Sequence, residues 1–395
     1  MAHTTPATLG VVGVEGGEPF ALRLAHGLAL RDRGGSWRFV CPSRWGGPAL
    51  ALAEASGPDE LWVIGDQGPV RIDRDGQSHP LLVPALTSGT VRRLIAHAGG
   101  VLALAVNGSA SAVDASGASL WRLSSDTAQQ IYQVPDVATS IATDGQHIFV
   151  GWLDAGAIVV DTLGTGPAER QVFANAAPPG LTLALEYAGG ALWARLNDGH
   201  QALLLRLQGG EASLALLTEG VLLGPVDQGG RALVAVDQAL STIEANGPVP
   251  VLTSTAVTCL DSDAGATFGC AKTRLFALAT PPEERFSIAE LVGPTQAGLD
   301  GNAALSCQIE WLDLASEAGL DPKAEPAVMA QSSAPPATGC SCLQRRPSAP
   351  NLAGLGLLAL WSLSRGGRAR RGRQRPDPGI EAAGDPGRGR QPPSL

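Results

Sequence analysis

Gly99-Gly100-Val101-Leu102-Ala103-Leu104 joins a glycine pair to a short apolar run, and the same pattern returns twice. The other copies are Gly189-Gly190-Ala191-Leu192-Trp193-Ala194 and Gly229-Gly230-Arg231-Ala232-Leu233-Val234. A glycine pair favours a tight turn, and a short apolar run bounded by turn residues favours a buried strand. The pattern therefore predicts a repeated unit of turn and strand.

Related segments lie before and between these copies. Asp144-Gly145 precedes an apolar run at 147–150, and Pro58-Asp59-Glu60 precedes another at 61–64. Second apolar runs, most of them ending at a glycine turn, follow at 70–73, 111–114, 157–161, 203–207 and 240–243. From near Phe20 to residue 291 this gives about seven units of roughly 40–45 residues, the length of a four-stranded propeller blade.

These units predict an all-β fold, a β-propeller of seven blades, over residues 9–319. A single blade is too thin to bury both of its faces, and stacking blades in a ring buries them. The 50 glycines and 29 prolines also suit many short strands better than long helices. A pair of β-sandwiches or another β-solenoid is the alternative fold.

Charge and motif content argue against several kinds of partner. The formal net charge is -9, which disfavours nucleic acid as a partner. The six histidines are scattered without metal-ligand spacing, and no phosphate-binding loop is present. The segment from Asp261 to Gly265 resembles the start of a calcium loop but lacks its glutamate, so we expect a plain Asp-Gly turn. The sequence therefore predicts no metal and no cofactor.

Four of the six cysteines lie in the body of the chain. An even number of cysteines in a surface protein is compatible with disulfides. Cys259 and Cys270 are close enough in sequence to close a hairpin, and Cys41 with Cys307 would tie the ends of a closed ring. Connectivity is not fixed by sequence, and buried reduced thiols are the alternative.

Asp32-Arg33-Gly34-Gly35-Ser36-Trp37 resembles the Asp-box of bacterial-neuraminidase-repeat and sortilin-like propellers. The matching residues are Asp32, Gly34, Ser36 and Trp37, whereas Leu30 replaces the usual serine or threonine and one clear copy is present. The resemblance implies a hairpin in which the aspartate accepts backbone N–H groups and the tryptophan packs between sheets. In that family the box is a structural marker away from the catalytic face, so it does not imply a sialidase.

The C-terminal region resembles the MYXO-CTERM sorting tail of surface proteins. Thr338-Gly339-Cys340-Ser341-Cys342 is followed by an apolar run at 352–363 and by an arginine cluster. The arginines are Arg365, Arg368, Arg370, Arg371 and Arg373. The resemblance implies processing or lipid attachment at Cys340 or Cys342 by a sorting protease or anchoring machinery, with the arginines flanking the membrane.

Composition also predicts the boundaries after the propeller. We expect a disordered Pro/Ala/Ser linker at 320–337, the sorting tail at 338–375 with a short hydrophobic helix, and a disordered end at 376–395. The apolar run is shorter than the roughly 20 residues of a stable membrane span, which suits a transient signal. No export signal is visible at the N-terminus, so we expect that the start site is misassigned.

The sequence therefore predicts a non-catalytic binding or scaffold protein at the cell surface or outer membrane. It is expected to present its propeller face to an unknown protein or glycan. Two alternatives stay open: a glycan-acting hydrolase or lyase that uses the propeller funnel, and a cytoplasmic scaffold. Clustered carboxylates and arginines at the channel mouth would favour the enzyme. The only tyrosines, Tyr132 and Tyr187, give no reason to assign a sialidase nucleophile.

Overall fold

The computed structural model describes residues 8–47, 52–107, 117–134, 138–174, 176–178, 181–244, 246–252, 256–263, 265–279, 282–295 and 301–320. All of them belong to the first of two compact units, Met1–Gln331. The predicted linker from residue 321 onward, both tail cysteines, the apolar run and the arginine cluster lie outside the described residues.

The described strands form seven sheets, and the chain is a seven-bladed β-propeller. Blade 1 contains β1 (Thr8–Glu15), β2 (Glu18–Leu24), β3 (Gly27–Arg31) and β4 (Trp37–Val40). Blade 2 contains β5 (Ala53–Gly57), β6 (Glu60–Gly65), β7 (Gly68–Asp73) and β8 (Ser78–Pro80). Blade 3 contains β9 (Val91–His97), β10 (Gly100–Val106), β11 (Ala118–Ser124) and β12 (Thr127–Val134).

The remaining blades repeat this antiparallel order. Blade 4 contains β13 (Ser140–Thr143), β14 (Ile148–Asp154), β15 (Ala157–Leu163) and β16 (Glu169–Phe173). Blade 5 contains β17 (Thr182–Ala188), β18 (Ala191–Asn197), β19 (Ala202–Gln208) and β20 (Glu211–Thr218). Blade 6 contains β21 (Leu222–Asp227), β22 (Ala232–Val236), β23 (Ala239–Glu244) and β24 (Gly247–Leu252). Blade 7 contains β25 (Cys259–Asp263), β26 (Ala266–Ala271), β27 (Arg274–Ala277) and β28 (Glu283–Ser287).

Glycine pairs form the hairpins between the first and second strands of several blades. Ala188 pairs with Ala191, so Gly189 and Gly190 are the two residues of the turn, with φ of 57° and 70°. Two consecutive residues with positive φ define the turn whose twist matches that of antiparallel strands. Glycine adopts this conformation without the steric cost that a Cβ would bring.

The second strand of a blade is buried on both faces. In β10, Val101 and Ala103 pack toward blade 2, whereas Leu102 and Leu104 pack toward blade 4. Because successive side chains point to opposite faces, a strand covered on both sides reads as a continuous apolar run. The described core divides into seven clusters, one for each interface between neighbouring blades.

The first strands of the blades surround the axis of the ring. Each contacts the first strand of the next blade, and β25 of blade 7 contacts β1 of blade 1. Blade 1 begins at Thr8, before the predicted start near Phe20. The difference arises because the repeated sequence unit begins at the second strand of each blade and leaves the innermost strand out.

The C-terminal end of the described chain packs against blade 1 and closes the ring. After blade 7, β29 (Leu291–Pro294) pairs in parallel with β4, the outer strand of blade 1. Helix α1 (Gly301–Ala318) then packs beneath blade 1, and a disulfide joins Cys41 to Cys307. We call β29 and α1 the closing strap. Blade 1 is thus made entirely of N-terminal strands, and the strap adds a fifth strand to it.

Helix α1 was not predicted from the sequence. Its buried face contains Cys307, Trp311, Leu314 and Ala315, a spacing of three to four residues that is typical of an amphipathic helix. The composition of the chain predicts that this segment belongs to the all-β domain and that a single helix lies in the tail, so α1 is a difference from that prediction. Within the described residues, no helix combines the length and the apolar character needed to cross a membrane.

Two short 3₁₀ helices complete the fold at the closure. Pro42–Arg44 follows β4, and Ile288–Glu290 leads into β29. The Arg44 side chain is buried and donates to the Thr295 backbone oxygen at 2.7 Å, just after β29. Burial lowers the pKa of Arg44 to about 10, which still leaves the guanidinium charged at neutral pH. This contact fixes the end of β29 against blade 1.

We expect removal of the Cys41–Cys307 disulfide to destabilise the chain far more than removal of the second disulfide, Cys259–Cys270. The two bridges span 266 and 11 residues, and a crosslink that closes a longer loop restricts the unfolded chain more. The double variant Cys41→Ser/Cys307→Ser should lose about 2–5 kcal/mol of unfolding free energy. The measurement is urea unfolding under oxidising conditions, with Cys259→Ser/Cys270→Ser as matched control. Equal losses in the two double variants would show that the strap disulfide has no special part in closure.

Candidate functional site

The central channel holds a cavity of about 630 Å³. It is lined mainly by the first strands of the blades, with contributions from β1, β5, β9, β17, β21 and β25. These strands face the axis, where no neighbouring sheet covers them, so polar and charged side chains are tolerated there. Cavities of roughly 300–1,000 Å³ are the usual size for small-molecule sites.

Eight charged side chains line this cavity. They are Arg23, Glu54, Arg92, Arg93, Glu186, Arg195, Asp261 and Asp263. Arg23 lies on β2 and Arg195 on β18, whereas the other six lie on innermost strands. The formal charges of the four arginines and four carboxylates balance, so the net charge of the channel depends on which carboxyl groups hold a proton.

An ion pair crosses from blade 3 to blade 5 within the channel. Arg93 Nη2 lies 2.7 Å from Glu186 Oε1, and the two side chains are 27% and 24% exposed. Burial alone would lower the pKa of Arg93, but its attraction and hydrogen bond to Glu186 outweigh burial and raise it. Arg93 therefore stays charged, and this pair is a fixed feature of the site.

Two aspartates join the inner edges of blades 7 and 1. Asp261 Oδ2 accepts the Val11 N–H at 3.2 Å, and Asp263 Oδ2 accepts the Val14 N–H at 3.0 Å. A side chain at Gly10 would approach Asp261 Oδ2 to 3.3 Å, so glycine allows β1 to run close to this carboxyl group. The carboxyl groups of β25 thus hydrogen-bond to the backbone of β1 while they line the channel.

Burial favours the protonated form of two carboxyl groups in the channel. Burial raises the pKa of Asp261 to about 7, although the charge of Arg23 favours the ionised form. Burial also raises the pKa of Glu54 well above its usual range, and Asp261 and Asp263 raise it further. Arg93 and Arg23 oppose this rise. Asp261 therefore holds its proton below about pH 7, and burial shifts Glu54 towards its protonated form as well.

Two arginines of the channel have a buried side-chain nitrogen that makes no hydrogen bond within the described residues. Arg195 Nη1 donates to the Leu222 backbone oxygen at 2.9 Å. The Nε atoms of Arg195 and Arg23 are buried and have no hydrogen-bond partner among the described residues. Burial lowers the pKa of Arg195, and Arg93 lowers it further, while Glu186 raises it. An unpaired buried donor is costly, so these groups favour an acceptor entering the channel.

The turn predicted in the Asp261–Gly265 segment is present, because Asp263 pairs with Ala266 across a hairpin and Gly265 has a φ of 80°. The sequence did not predict that Asp261 and Asp263 lie on the innermost strand β25, before that turn. The other channel charges were not identified from the sequence either. The sequence feature that could have identified them is a charged residue inside the first strand of a blade. Arg92-Arg93, between Val91 and Leu94, is an example. It was missed because the first strands themselves were left out of the repeat.

The Asp32 turn lies between β3 and β4 on blade 1, away from the channel cavity. Asp32 Oδ1 accepts the Ser36 N–H at 2.9 Å, and Gly35 has a φ of 85°. Arg38 Nε donates to Asp32 Oδ2 at 3.0 Å. Trp37 is buried against Phe286 of blade 7, with ring centroids 4.9 Å apart. The turn therefore supports the interface between blades 1 and 7, and the Asp-box remains a resemblance.

Neither tyrosine lines the channel cavity. The Tyr132 hydroxyl donates to Asp161 Oδ2 at 2.8 Å, and Arg170 also binds that carboxylate, so this set links blades 3 and 4. Tyr187 stacks on Phe149, with centroids 5.9 Å apart. No cluster of three or more histidine, cysteine or acidic residues suited to a metal ion is found in the described parts of the chain.

Comparisons with known proteins identify propeller-like folds and no family. No family model matches the sequence, and no curated protein matches it significantly. The β-propeller domain of the Trilobed protease from Pyrococcus furiosus has 10% identity and a TM-score of 0.49, with 72% of this chain and 99% of that chain covered. An extracellular domain from B. thetaiotaomicron has 13% identity and a TM-score of 0.48, with 68% and 38% covered. The chain thus spans well under half the length of that second protein.

A gluconolactonase from Xanthomonas campestris is more distant in structure. It has 17% identity and a TM-score of 0.37, with 70% of this chain and 84% of that chain covered.

We expect the stability of the chain to fall as pH rises from about 4 to about 7, because folded Asp261 holds a proton that the unfolded chain releases. One such proton changes the unfolding free energy by at most about 1.4 kcal/mol per pH unit. Asp261→Asn should reduce this slope, since its amide oxygen can still accept the Val11 N–H. Urea unfolding across this pH range measures it, with the exposed Asp59→Asn as control. An unchanged slope in Asp261→Asn would mean that Asp261 is ionised in the folded channel.

Proposed function

We propose that this chain is a non-catalytic binding or scaffold protein of the cell surface or outer membrane. In this proposal it is exported, held through its C-terminal sorting tail, and presents the propeller ring to a protein or glycan ligand. The observation that carries the proposal is the pair of disulfides, Cys41–Cys307 and Cys259–Cys270. Structural disulfides persist in oxidising compartments and are rare in the cytoplasm.

The position of the disulfides supports export more strongly than their number. Cys41 and Cys307 are almost fully buried, and their bond fastens the strap to blade 1. A ring whose closure uses a disulfide is best suited to an environment that keeps thiols oxidised. This consideration disfavours the cytoplasmic scaffold.

The tail supplies the proposed route to the surface. The resemblance of 338–375 to the MYXO-CTERM tail supports processing or lipid attachment at Cys340 or Cys342. The arginine cluster after the apolar run supports retention of the end on the cytoplasmic side during export. A sorting protease or anchoring machinery is the partner that this proposal requires.

We expect the full chain to be found in the surface or outer-membrane fraction of its native host, with its body cysteines protected from thiol labelling. Cys340→Ala/Cys342→Ala should remove the anchor and shift the protein to the soluble exported fraction. Ser341→Ala, between the two cysteines, is the matched control and should stay with the membrane. Cell fractionation with thiol labelling measures both properties. Recovery of the wild-type chain in the cytosol with reactive body thiols would contradict the proposal.

A second candidate function is a glycan-acting hydrolase or lyase in the propeller funnel. Carboxylates and arginines do cluster in the channel, which is the arrangement that favours this alternative. Burial raises the pKa of both Glu54 and Asp261 and so favours the protonated form that a general acid needs. Both tyrosines lie away from the cavity, which disfavours a sialidase-type tyrosine nucleophile but not a mechanism that uses a pair of carboxyl groups.

Turnover of glycans separates the two functions. If the protein is a binding protein, incubation of the wild-type chain with acidic and neutral oligosaccharides should release no product beyond that of Asp261→Asn or Glu54→Gln. Chromatography of the oligosaccharides after long incubation measures this. Product formed by the wild type and lost in both variants, with the propeller still folded by circular dichroism, would establish the enzyme instead.

A further inference from the structure

Helix α1 of the closing strap carries apolar side chains on two opposite faces. One face, which includes Trp311 and Leu314, packs into the core beneath blade 1. The other face carries Leu305, Ile309 and Leu312, which are 62%, 52% and 41% exposed. Residues that are four and seven positions apart lie above one another on a helix, so these three side chains form one continuous row. We call this row the outer stripe.

The outer stripe is not needed to hold α1 in place. The buried face and the bond between Cys307 and Cys41 already attach the helix to blade 1. Single exposed apolar residues are ordinary on a protein surface, whereas a contiguous row of them marks an interaction surface. Anchors at positions i, i+4 and i+7 are the pattern by which one helix recognises another.

A row of carboxylates runs beside the outer stripe. Glu310, Asp313 and Glu317 are three and four positions apart, so they too lie along one side of α1. At 3.6 residues per turn, this side lies between the outer stripe and the buried face. The three carboxylates line a cavity of about 490 Å³ together with His26 and Pro42 of blade 1. We call these three residues the acidic row.

The acidic row keeps a net negative charge. Glu317 Oε2 lies 3.5 Å from His26 Nε2, and this histidine is charged only when it is protonated. Glu310 Oε2 accepts the Ser43 hydroxyl at 3.2 Å, which is a neutral donor. The sequence of α1 contains no lysine or arginine. Burial raises the pKa of Glu310, and a cation beside this group would favour its ionised form. The row therefore attracts a positively charged partner.

We propose that α1 docks a basic amphipathic helix of a partner protein. The apolar side chains of that helix lie on the outer stripe, and its lysine or arginine side chains lie over the acidic row. A second copy of this chain would bring no positive charge through α1, and an anionic lipid surface would be repelled by the carboxylates. The inference goes beyond the proposed function, since it places a protein partner on the strap and holds for either compartment.

Fluorescence anisotropy of a labelled peptide, titrated with the full chain, tests the proposal. The probe is a helical peptide of about 18 residues made of leucine, lysine and alanine, with leucines along one face and lysines beside them. A matched peptide has glutamate in place of each lysine. We expect the lysine peptide to bind at least roughly tenfold more tightly than the glutamate peptide. Raising the ionic strength from about 0.05 M to about 0.5 M should weaken its binding by roughly tenfold.

One variant tests the apolar contact. Ile309→Gln should weaken binding of the lysine peptide by at least roughly tenfold. Leu217→Gln, which changes a leucine of blade 5 that is also more than half exposed, is the matched control and should bind as the wild type does. Urea unfolding checks that both variants are folded, as expected for exposed positions.

A second variant tests the charge contact. Asp313→Asn/Glu317→Gln should weaken binding of the lysine peptide and reduce its dependence on salt, because two carboxylates of the acidic row are neutralised. Asp126→Asn/Glu211→Gln removes the same charge from exposed positions of blades 3 and 5 and should change neither property. This control separates the acidic row from the general negative charge of the chain.

Several results would overturn the proposal. They are equal binding of the lysine and glutamate peptides, no binding of the lysine peptide, and wild-type affinity in Ile309→Gln. Sedimentation of the wild type as a dimer that Ile309→Gln dissociates would identify a second copy as the occupant instead. Binding to phosphatidylglycerol vesicles that Ile309→Gln abolishes would identify a lipid surface instead.

Discussion

The contact between blade 7 and blade 1 is the constraint on which the rest of the structure depends. Each blade is a single sheet that needs a neighbour on both faces, and a linear stack would leave two faces exposed. Closure is made at three distances from the axis. Near the axis, Asp261 and Asp263 accept hydrogen bonds from the backbone of β1. At the fourth strands of the two blades, Trp37 packs on Phe286, and beyond them β29 of the closing strap pairs with β4.

The closing strap joins the two ends of the ring at the outer edge of blade 1, which already has four strands of its own. Its first four strands come from the N-terminal part of the chain, so none of these four is supplied from beyond blade 7. The strap instead adds β29 at the edge, and the Cys41–Cys307 bond holds α1 against the same blade. Pairing at the edge also covers backbone groups of β4 that would otherwise be exposed.

The sequence predicted the repeating part of the fold because that part obeys local rules. Gly189-Gly190 can form its turn at little cost, and strands buried on both faces, such as β10, are apolar throughout. The Cys41–Cys307 pairing was one of the pairings that the sequence suggested, and the structure contains it. The strand β29, the helix α1 and the channel were not predicted, since each depends on contacts between distant parts of the chain. Nothing local to Asp261 indicates that the backbone of Val11 will lie against it. Likewise, Arg93 and Glu186 meet only because the ring brings blades 3 and 5 to one axis.

Asp261 and Asp263 line the channel and also take part in the closure of the ring. Asp261 and Asp263 each use one oxygen on the backbone of β1, so they are held in place by the contact that closes the ring. Their neighbours Glu54 and Arg23 come from blades that pack directly against that contact. Burial at this contact raises the pKa of Asp261. A change that loosened the closure would expose Asp261 to water and lower its pKa towards the ordinary range, so the protonation of the channel depends on the integrity of the ring.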